Sequence, residues 1–346
     1  IIQADREEEV ADCFERLEAA LKRGYYLAGF FSYEAGYAFE EKLRQNKRYD
    51  FPLLCFGVFK QPHNRLEPRL SVSGSNRPAK TDNLSFTDYR QRINSIKDHI
   101  AQGDVYQITY CIKNKFETRG DPFALYSRLL REQPVPYPAY LETADHQILS
   151  LSPEMFIKKT GDKVTTKPMK GTWPRGRNYW EDLWAGWRLH LDPKNRAENV
   201  MIADLLRNDL GRIGREVRTP KLFEVAKYTT LCQMTSTVTA RVEQNIPLFK
   251  LFKAIHPSGS VTGAPKIRAM EIINELETAE RKIYTGAIGY ITPDKDLFFN
   301  VPIRTLLIDK ASGRGEMGVG GGIVWDSTAA GEWEECQLKS RFLFAR

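Results

Sequence analysis

The stretch TTKPMKGTWPRGR, residues 165–177, places Lys170 directly before a glycine and a threonine. The stretch is too rich in Pro and Gly for a helix and is typical of a strand that ends in a turn. A side chain on such a segment projects from a fixed backbone rather than from a mobile surface. We therefore expect Lys170 to occupy a defined position.

Short strand-like runs surround this stretch and predict an α+β fold. They are VYQITYCIKNKF, AYLETADHQILSLSP, MFIKKTGDKVTTKP, YTGAIGYI, NVPIRTLLID and MGVGGGIVW. Helical stretches are predicted between them at 121–132, 195–213, 245–255, 264–280 and 328–345. Hairpin-spaced strands interrupted by a few helices indicate largely antiparallel sheets rather than a doubly wound nucleotide-binding fold.

The amino-terminal part has its own pattern of elements. Apolar positions at a helical period predict a helix over residues 5–24, closed by Gly24. The aromatic runs YYLAGFFSYEAGYAF and LLCFGVF predict buried strands. The polar run SVSGSNRPAKTDN is the best linker candidate, and a helix is predicted after it at FTDYRQRINSIKDHIAQGD, ending near Gly103.

Composition indicates a soluble globular protein, because hydrophobic residues make up 42% of the chain and charged residues 27%. The net charge is +7, but the 51 basic residues are interleaved with 44 acidic ones. No basic arm or aromatic RNA-binding motif occurs, which disfavours nucleic acid as a partner. An anionic small substrate or a solvated surface explains the charge better.

The cysteines and the apolar runs indicate the cellular compartment of the protein. The five cysteines are widely separated and form no CxxC pair, which favours reduced thiols over a disulfide framework or a zinc site. No apolar run approaches 18 residues, and the first residues show no signal-peptide pattern. We therefore expect a cytoplasmic protein that does not enter a membrane.

Glu154 and Lys170 are the first candidate pair, in LSLSPEMF and KPMKGT. They lie on what read as neighbouring strands. A carboxylic acid and an amine that face one pocket can act as general acid and nucleophile, provided that their surroundings shift both pKa values toward neutrality. For an isolated pair, the alternative of a salt bridge at a strand edge is favoured.

Two helices carry candidate metal ligands. In NRAENVMIADLLRNDLGRIG, Glu198 and Asp209 fall on nearly one face and could border a site. In GEWEECQLKSRF, Glu332, Glu335 and Lys339 are spaced i, i+3 and i+7. Glu198 with a carboxylate of the second helix would form the oxygen-only site that Mg²⁺ uses. The alternative for the second helix is an exposed Glu–Lys ladder.

The remaining motifs have features that are typical of anion-binding sites. HPSGSVTGAPKIRAMEII runs from a small-residue loop into a helix whose first N–H groups could face a carboxylate or phosphate. Gly320, Gly321 and Gly322 would let backbone approach a ligand closely, and Arg304 could clamp an anion through two hydrogen bonds. Neither glycine-rich loop fits the P-loop or Rossmann pattern, which disfavours nucleotide binding.

Together these motifs resemble the chorismate-utilising enzymes. SPEMF, KGTWPRG, AENVMIADLLRNDLGRIG, GSVTGAPKIRAMEII, YTGAIGYI, IRTL, GGGIVWDS and EWEECQLK occur in the family's order, over roughly residues 85–346. The resemblance implies two antiparallel sheets packed as a sandwich, with helices outside and the active site between the sheets. It implies a catalytic region at 85–346 and an amino-terminal part of the same sandwich at 1–84.

Within the family the chain resembles the aminodeoxychorismate branch, which has a lysine in KGT where anthranilate synthases typically have alanine. The resemblance implies that Lys170 attacks C2 of the chorismate ring while Glu154 protonates the departing C4 hydroxyl. Ammonia would then displace the lysine by adding at C4. The product, 4-amino-4-deoxychorismate, leads to p-aminobenzoate and folate.

The resemblance also implies the binding residues. Glu198 and Glu335 would hold Mg²⁺, with Glu332 acting through water. The remaining positions would bind the enolpyruvyl carboxylate or line the pocket: Arg304, Lys339, Gly320, Gly321, Gly322, Thr262 and Gly263.

No amidotransferase signature surrounds any of the five cysteines, so a separate glutamine amidotransferase is expected to supply ammonia. Three other chorismate products remain as alternatives: anthranilate, isochorismate and salicylate. No tryptophan-feedback motif is recognisable, which leaves allosteric inhibition open. A pyridoxal phosphate enzyme and a nucleic-acid-binding protein are disfavoured, because neither explains the ordered motifs.

Overall fold

A computed structural model describes residues 1–63, 78, 80–118, 120–176, 178–227 and 231–344. The strands are β1 Ile2–Ala4, β2 Tyr26–Phe31, β3 Leu54–Phe59, β4 Thr81–Asp82, β5 Gln107–Glu117, β6 Tyr137–Glu142, β7 His146–Ser152, β8 Met155–Thr160, β9 Lys163–Lys167, β10 Met169–Pro174, β11 Arg215–Lys227, β12 Leu231–Arg241, β13 Gly263–Ala264, β14 Ala287–Ile291, β15 Leu297–Asn300, β16 Thr305–Asp309 and β17 Arg314–Ile323. The helices are α1 Glu9–Lys22, α2 Ala35–Ala38, α3 Phe86–Ala101, α4 Pro122–Glu132, α5 Tyr179–Leu191, α6 Pro193–Gly211, α7 Leu248–Ile255, α8 Lys266–Leu276 and α9 Ala329–Phe344.

The strands form two sheets, and every strand pair in the described chain is antiparallel. The larger sheet has the order β1-β3-β2-β14-β15-β8-β9-β12-β10, with β11 paired to β12. The smaller sheet has the order β13-β5-β17-β16-β7-β6, with β4 paired to β5. This arrangement confirms the predicted α+β class with two antiparallel sheets.

A single large group of buried apolar side chains joins both sheets to the helices. Phe31 of β2 lies at its centre, with ring contacts to Phe14 of α1, Phe252 of α7 and Phe299 of β15. Such aromatic side chains account for much of the apolar area that a core removes from water. The predicted helix over residues 5–24 is confirmed, and Gly24 takes the left-handed conformation that ends it (φ 83°).

One predicted strand is only half right. YYLAGFFSYEAGYAF begins as β2, but the chain then turns into the short helix α2. Ser32 starts this turn, because its hydroxyl oxygen accepts a hydrogen bond of 3.3 Å from the backbone N–H of Ala35. Helix α5 and the long hairpin of β11 and β12 were not among the predicted elements.

The ten-stranded sheet takes β1, β2 and β3 from the amino-terminal part and its other strands from beyond residue 154. The division of the chain at residue 84 stays a prediction. Most of the linker candidate SVSGSNRPAKTDN lies outside the described residues. Within the described ranges, no helix is long and apolar enough to cross a membrane.

Candidate active site

Lys170 projects from a β-bulge in β10. Lys170 and Gly171 together oppose the single residue Met234 of β12, and Gly171 has a φ of 89°. A bulge bends its strand and re-aims the side chains beside it, and a left-handed position favours glycine. The predicted turn is therefore a bulge inside a strand that continues to Pro174, and this bulge directs Lys170.

Glu154 follows β7 and is 3% exposed. Its Oε1 accepts a hydrogen bond of 2.7 Å from the hydroxyl of Ser260, which lies 3.0 Å from the hydroxyl of Ser258. Burial raises the pKa of Glu154 to about 7, against the lowering effects of the Ser260 hydrogen bond and the Lys170 charge. A carboxyl with this pKa can hold and release a proton near neutral pH.

Lys170 is shifted in the opposite direction. Burial lowers the pKa of its amine, as does the charge of Lys339, although the carboxylates of Glu198, Glu154 and Glu335 oppose this. In the described part of the chain, Lys170 and Glu154 do not form a direct ion pair. They therefore face one site as separate groups, and the salt-bridge alternative is not observed.

The glycines of β17 form the opposite wall. A Cβ atom on Gly322 would lie 3.1 Å from Nζ of Lys170 and would overlap the amide of Gln107. A Cβ atom on Gly321 would lie 2.5 Å from Oε2 of Glu332. Since β10 belongs to the larger sheet and β17 to the smaller one, the site lies between the sheets, and glycine leaves room for the functional side chains.

Helix α9 carries a cation and an anion into the same site. Nζ of Lys339 lies 2.7 Å from Oε1 of Glu335 and donates a hydrogen bond of 2.7 Å to the carbonyl of Gly320. Desolvation is the largest effect on Lys339 and lowers its pKa, but Glu335, Cys336 and Glu332 together oppose it and leave the pKa of Lys339 raised. Lys339 in turn holds the pKa of Glu335 below its ordinary value, again against desolvation. The Glu–Lys pair of the alternative reading is present and half-exposed, and its lysine also reaches the backbone of Gly320 at the wall of the site.

Glu332, near the start of α9, has a different hydrogen-bond partner from Glu335. Oε1 of Glu332 accepts a hydrogen bond of 2.7 Å from the hydroxyl of Ser327. Burial raises the pKa of Glu332. This carboxyl therefore holds the segment between β17 and α9, and it is engaged differently from Glu335.

The acids of α6 separate into two environments. Glu198 is half-buried, and its charge acts on Lys170. Asp209 instead makes a buried ion pair of 2.7 Å with Lys266, which begins α8. Asp209 therefore fastens α6 to α8, and its position at the border of the site stays a prediction.

The carboxylates of the site could bind a divalent cation only as an open set of ligands. Within the described residues, no three His, Cys, Asp or Glu side chains lie close enough together to hold a metal ion by themselves. However, Glu198 and Glu335 both act electrostatically on Lys170. Two carboxylates with water and substrate oxygens are the ligands that Mg²⁺ commonly takes. The residues present fit such an open site rather than a closed cage.

The loop before α8 forms a close-packed edge of the site. Thr262 is fully buried, and its hydroxyl donates a hydrogen bond of 2.8 Å to the carbonyl of Ser258. Gly263 pairs with Ile108 of β5, and a Cβ atom there would lie 2.8 Å from Cβ of Ala269. No larger residue fits at 263, so this backbone is held against β5.

Arg304 lies between β15 and β16 in the left-handed region, with a φ of 52°. Its carbonyl accepts a hydrogen bond of 3.1 Å from the N–H of Leu151, three residues before Glu154. Three residues earlier, the N–H of Val301 donates to the carbonyl of Glu154 itself. Such a backbone conformation is uncommon outside glycine, and it places Arg304 beside the segment that carries the acid.

Sequence reasoning missed Gln107 and Ser260. Gln107 of β5 is fully buried, and neither its amide nitrogen nor its oxygen has a hydrogen-bond partner. Unpartnered buried amides are costly, which suggests that a ligand satisfies this one. The one available signal was a glutamine inside the apolar strand VYQITYCI.

A buried acid and a lysine of lowered pKa lie between two antiparallel sheets, beside the Lys339 cation and the carboxylates of Glu198 and Glu335, and together they define a candidate enzyme site. The protein belongs to the chorismate binding enzyme family, whose model matches residues 2–345. Aminodeoxychorismate synthase component 1 of Bacillus subtilis is 38% identical over 265 residues, which are 75% of this chain and 56% of that protein. The chain thus spans about half the length of this relative.

Anthranilate synthases are similarly close. Component 1 of the Methanothermobacter marburgensis enzyme is 32% identical over 342 residues, covering 92% of this chain and 73% of that protein. The crystal structure of anthranilate synthase component I from Streptococcus pneumoniae superposes with a TM-score of 0.83 and 27% identity, covering 95% of this chain and 85% of that one. The chain is therefore related to both branches.

Proposed function

We propose that the chain is an aminodeoxychorismate synthase component I, which replaces the C4 hydroxyl of chorismate by an amino group. The observation that carries this proposal is that Lys170, on the bulge of β10, and Glu154, buried against Ser260, act electrostatically on each other without forming an ion pair. Both side chains face one site, and their pKa values are displaced in opposite directions from their ordinary values. A neutral amine and a protonated acid are the forms that the reaction requires.

In the first step, the lone pair of the Lys170 amine forms a bond to C2 of the ring. The ring double bonds shift and the C4–O bond breaks. Hydroxide is a poor leaving group, so the proton of Glu154 moves to this oxygen and water departs. Glu154 is left as a carboxylate, and its burial favours its return to the protonated form.

In the second step, ammonia forms a bond to C4 and the double bonds shift back. The bond between C2 and the lysine nitrogen breaks, which restores the Lys170 amine. The proton that the incoming nitrogen loses returns to Glu154. Both groups therefore end the cycle in their starting forms, and the product is 4-amino-4-deoxychorismate, a precursor of p-aminobenzoate and folate.

Substrate binding is assigned to the charges around this pair. Glu198 and Glu335 would hold Mg²⁺, assisted by Glu332 through water. When bound, the ion would neutralise and orient the ring carboxylate. The enolpyruvyl carboxylate would meet Arg304, Lys339 and the backbone of Gly320, Gly321 and Gly322, with Thr262 and Gly263 lining the pocket.

Ammonia is proposed to come from a separate glutamine amidotransferase. All five cysteines of the chain are buried, whereas an amidotransferase needs an accessible thiol nucleophile. The name "component 1" of the relatives supports a second component. The cytoplasmic location stays a prediction.

A second candidate is anthranilate synthase component I, because relatives with that name reach 37% identity. The lysine at position 170 favours the first candidate, since the resemblance places alanine there in anthranilate synthases. Isochorismate and salicylate synthases also carry a lysine near this site, so they remain alternatives. Product identity separates all of these.

The test is mass-spectrometric product analysis of the purified chain with chorismate, Mg²⁺ and ammonium. We expect 4-amino-4-deoxychorismate from the native chain, its loss or replacement by the 2-amino product in Lys170→Ala, and no change of product in the control Lys167→Ala. Glutamine in place of ammonium should support no reaction without a partner. Anthranilate, isochorismate or salicylate from the native chain would contradict the proposal.

A further inference from the structure

Helix α5 turns a row of large apolar side chains toward solvent. Trp180 is 75% exposed, and Trp184 and Trp187 are each 60% exposed. Leu183 and Leu191 on the same helix are more than 40% exposed. The opposite face packs on β10, β11 and β12 through Asp182, Ala185, Gly186 and Leu189. Contiguous apolar surface of this kind marks an interaction site in a folded protein.

The exposed positions have the spacing of a helix–helix contact. Trp180, Trp184, Trp187 and Leu191, which we call the tryptophan seam, are separated by four, three and four residues. Alternation of three and four residues is the pattern by which one helix packs along another. The seam therefore fits a second helix better than a flat or irregular partner.

The helix that carries the seam is firmly attached. The carboxylate of Asp182 accepts hydrogen bonds of 2.9 Å from Arg175, just after β10, and of 2.8 Å from Lys227 at the end of β11. These contacts hold the pKa of Asp182 well below its ordinary value. With Asp182 held on the inner face, α5 cannot turn its tryptophans inward without breaking this pairing.

The charges beside the seam are complementary to those of a second copy. Glu181 and Arg188 are seven residues apart and lie on the same side of the seam, where Arg188 packs over the ring of Trp184 and Glu181 accepts a hydrogen bond from Asn178. Consider two antiparallel α5 helices whose two-fold axis passes between Trp184 and Trp187. Glu181 of one copy then lies at the same height along the helix axis as residue 190 of the other copy. Arg188 of that copy is two residues away, which is about 3 Å along the axis. Two-fold symmetry repeats this opposite-charge pair on the other side.

The exposed apolar area is close to what a dimer interface buries. A buried Trp contributes roughly 150–250 Å², so three that are mostly exposed offer on the order of 400 Å². Tyr179, Leu183, Leu191 and the neighbouring Leu222 add to this area. The sum approaches the roughly 800 Å² that each partner buries in a standard interface.

We propose that the tryptophan seam is the interface of a homodimer, in which α5 of one copy packs antiparallel against α5 of the other. This inference concerns assembly and does not depend on the reaction proposed above. The dimer would cover a helix that is fastened to β10, the strand of Lys170.

Sedimentation velocity over a concentration series tests this directly. We expect a dimer at micromolar concentrations and a monomer for the double variant Trp184→Glu/Trp187→Glu. The matched control is Trp325→Glu. Trp325 is similarly exposed, at 58%, but it lies on the loop after β17 and outside the seam, so this substitution should leave the dimer intact. Circular dichroism of each variant checks that the fold is retained.

A charge exchange tests the antiparallel register. Glu181→Arg places two arginines opposite each other, and Arg188→Glu places two glutamates opposite each other, so each single variant should dimerise more weakly. An equimolar mixture of the two variants should regain the dimer, because only contacts between copies become complementary on mixing. The double variant Glu181→Arg/Arg188→Glu should also dimerise.

Three outcomes would overturn the proposal. The first is a native chain that stays monomeric at all concentrations, including one that associates only with an amidotransferase or with phosphatidylglycerol vesicles. The second is a dimer that survives Trp184→Glu/Trp187→Glu. The third is a mixture of the charge variants that associates no better than either alone, which would reject the antiparallel register.

Discussion

Ser260 donates a hydrogen bond of 2.7 Å to Oε1 of Glu154, and each of these residues is only 3% exposed. The contact joins the loop before α8 to the segment after β7, two elements that are more than one hundred residues apart. It favours the charged form of a carboxyl whose burial favours the neutral form. The balance between these two effects sets the pKa of the proposed catalytic acid.

Replacing Ser260 should therefore raise the pKa of Glu154. In Ser260→Ala the charged carboxylate loses a donor while its burial is unchanged, so the pKa should rise above about 7. Titration of ¹³C-labelled glutamate carboxyls by NMR measures the change, with Glu154→Gln used to assign the resonance. Ser258→Ala, one hydroxyl further away, should shift it less. An unchanged or lower pKa in Ser260→Ala would show that the hydrogen bond does not act on the acid.

The fold should gain stability when the acid is made permanently neutral. Below about pH 4, Glu154 is protonated in both the folded and unfolded chains. Between its ordinary value of 4.5 and about 7, the unfolded chain ionises first, which costs the native state about 3 kcal/mol. Glu154→Gln avoids this cost, so its advantage in the free energy of unfolding should grow by about 3 kcal/mol between about pH 4 and pH 8.

Urea unfolding of both proteins across this pH range measures the effect. Glu334→Gln, at an exposed position of α9, is the control for the loss of one carboxyl group. A curve for Glu154→Gln that is parallel to that of the native chain would show that Glu154 ionises equally readily in both states.

A methyl group at position 322 should disable the site. In Gly322→Ala the new Cβ overlaps the Gln107 amide and crowds Nζ of Lys170 at 3.1 Å, so we expect turnover to fall by about 100-fold or more. Gly211→Ala, at a helical glycine with no neighbouring atom within 4 Å, is the matched control and should retain activity. Steady-state kinetics with ammonium measures both variants. Full activity in Gly322→Ala would mean that Gln107 and Lys170 tolerate displacement.

Gln107 should matter more to the reaction than to the fold. Its amide has no hydrogen-bond partner within the protein in a fully buried position, so Gln107→Leu removes an unsatisfied polar group. We expect an unchanged or higher melting temperature, together with a rate at least about 10-fold lower. Calorimetry and product assays separate the two effects. A large drop in melting temperature would instead assign Gln107 a structural role.

The carboxylates should differ in their effect on metal binding. If Glu198 and Glu335 are ligands, Glu198→Gln and Glu335→Gln should each weaken binding by about 10-fold or more. Glu332→Gln should weaken it less, because Oε1 of Glu332 is already engaged by Ser327. Electron paramagnetic resonance titration with Mn²⁺ measures affinity without relying on activity. Equal losses in all three variants would show that Glu332 ligates directly.

The candidate site was only partly predictable from the sequence. Glu154 and Lys170 lie in short motifs whose residue types already indicate an acid and an amine, whereas the predicted role of Lys339 came only from the resemblance to the family. Gln107 was missed because its strand has the pattern of an ordinary apolar strand. Its proposed role in the site depends on Gly322, which lies beside it only in the folded chain. The ion pair of Asp209 with Lys266 was not predicted either, because spacing along a helix does not reveal that Lys266 lies beside it.

The sequence by itself determined the local structure and the family motifs. Apolar periodicity specified helices such as α3, which begins where Ser85 caps the N–H of Asp88 at 3.2 Å and ends before Gly103 in the left-handed region. These are interactions between residues a few positions apart, so the sequence contains them directly.

Only the tertiary structure decided which side chains meet and how they ionise. It brought Lys170 on its bulge opposite Gly322 and placed Glu154 against Ser260. It also left the tryptophans of α5 on the surface, although their types and spacing are equally compatible with a buried helix. The physical reason is that desolvation and packing depend on neighbours distant in sequence, and those neighbours are set by sheet pairing rather than by local pattern.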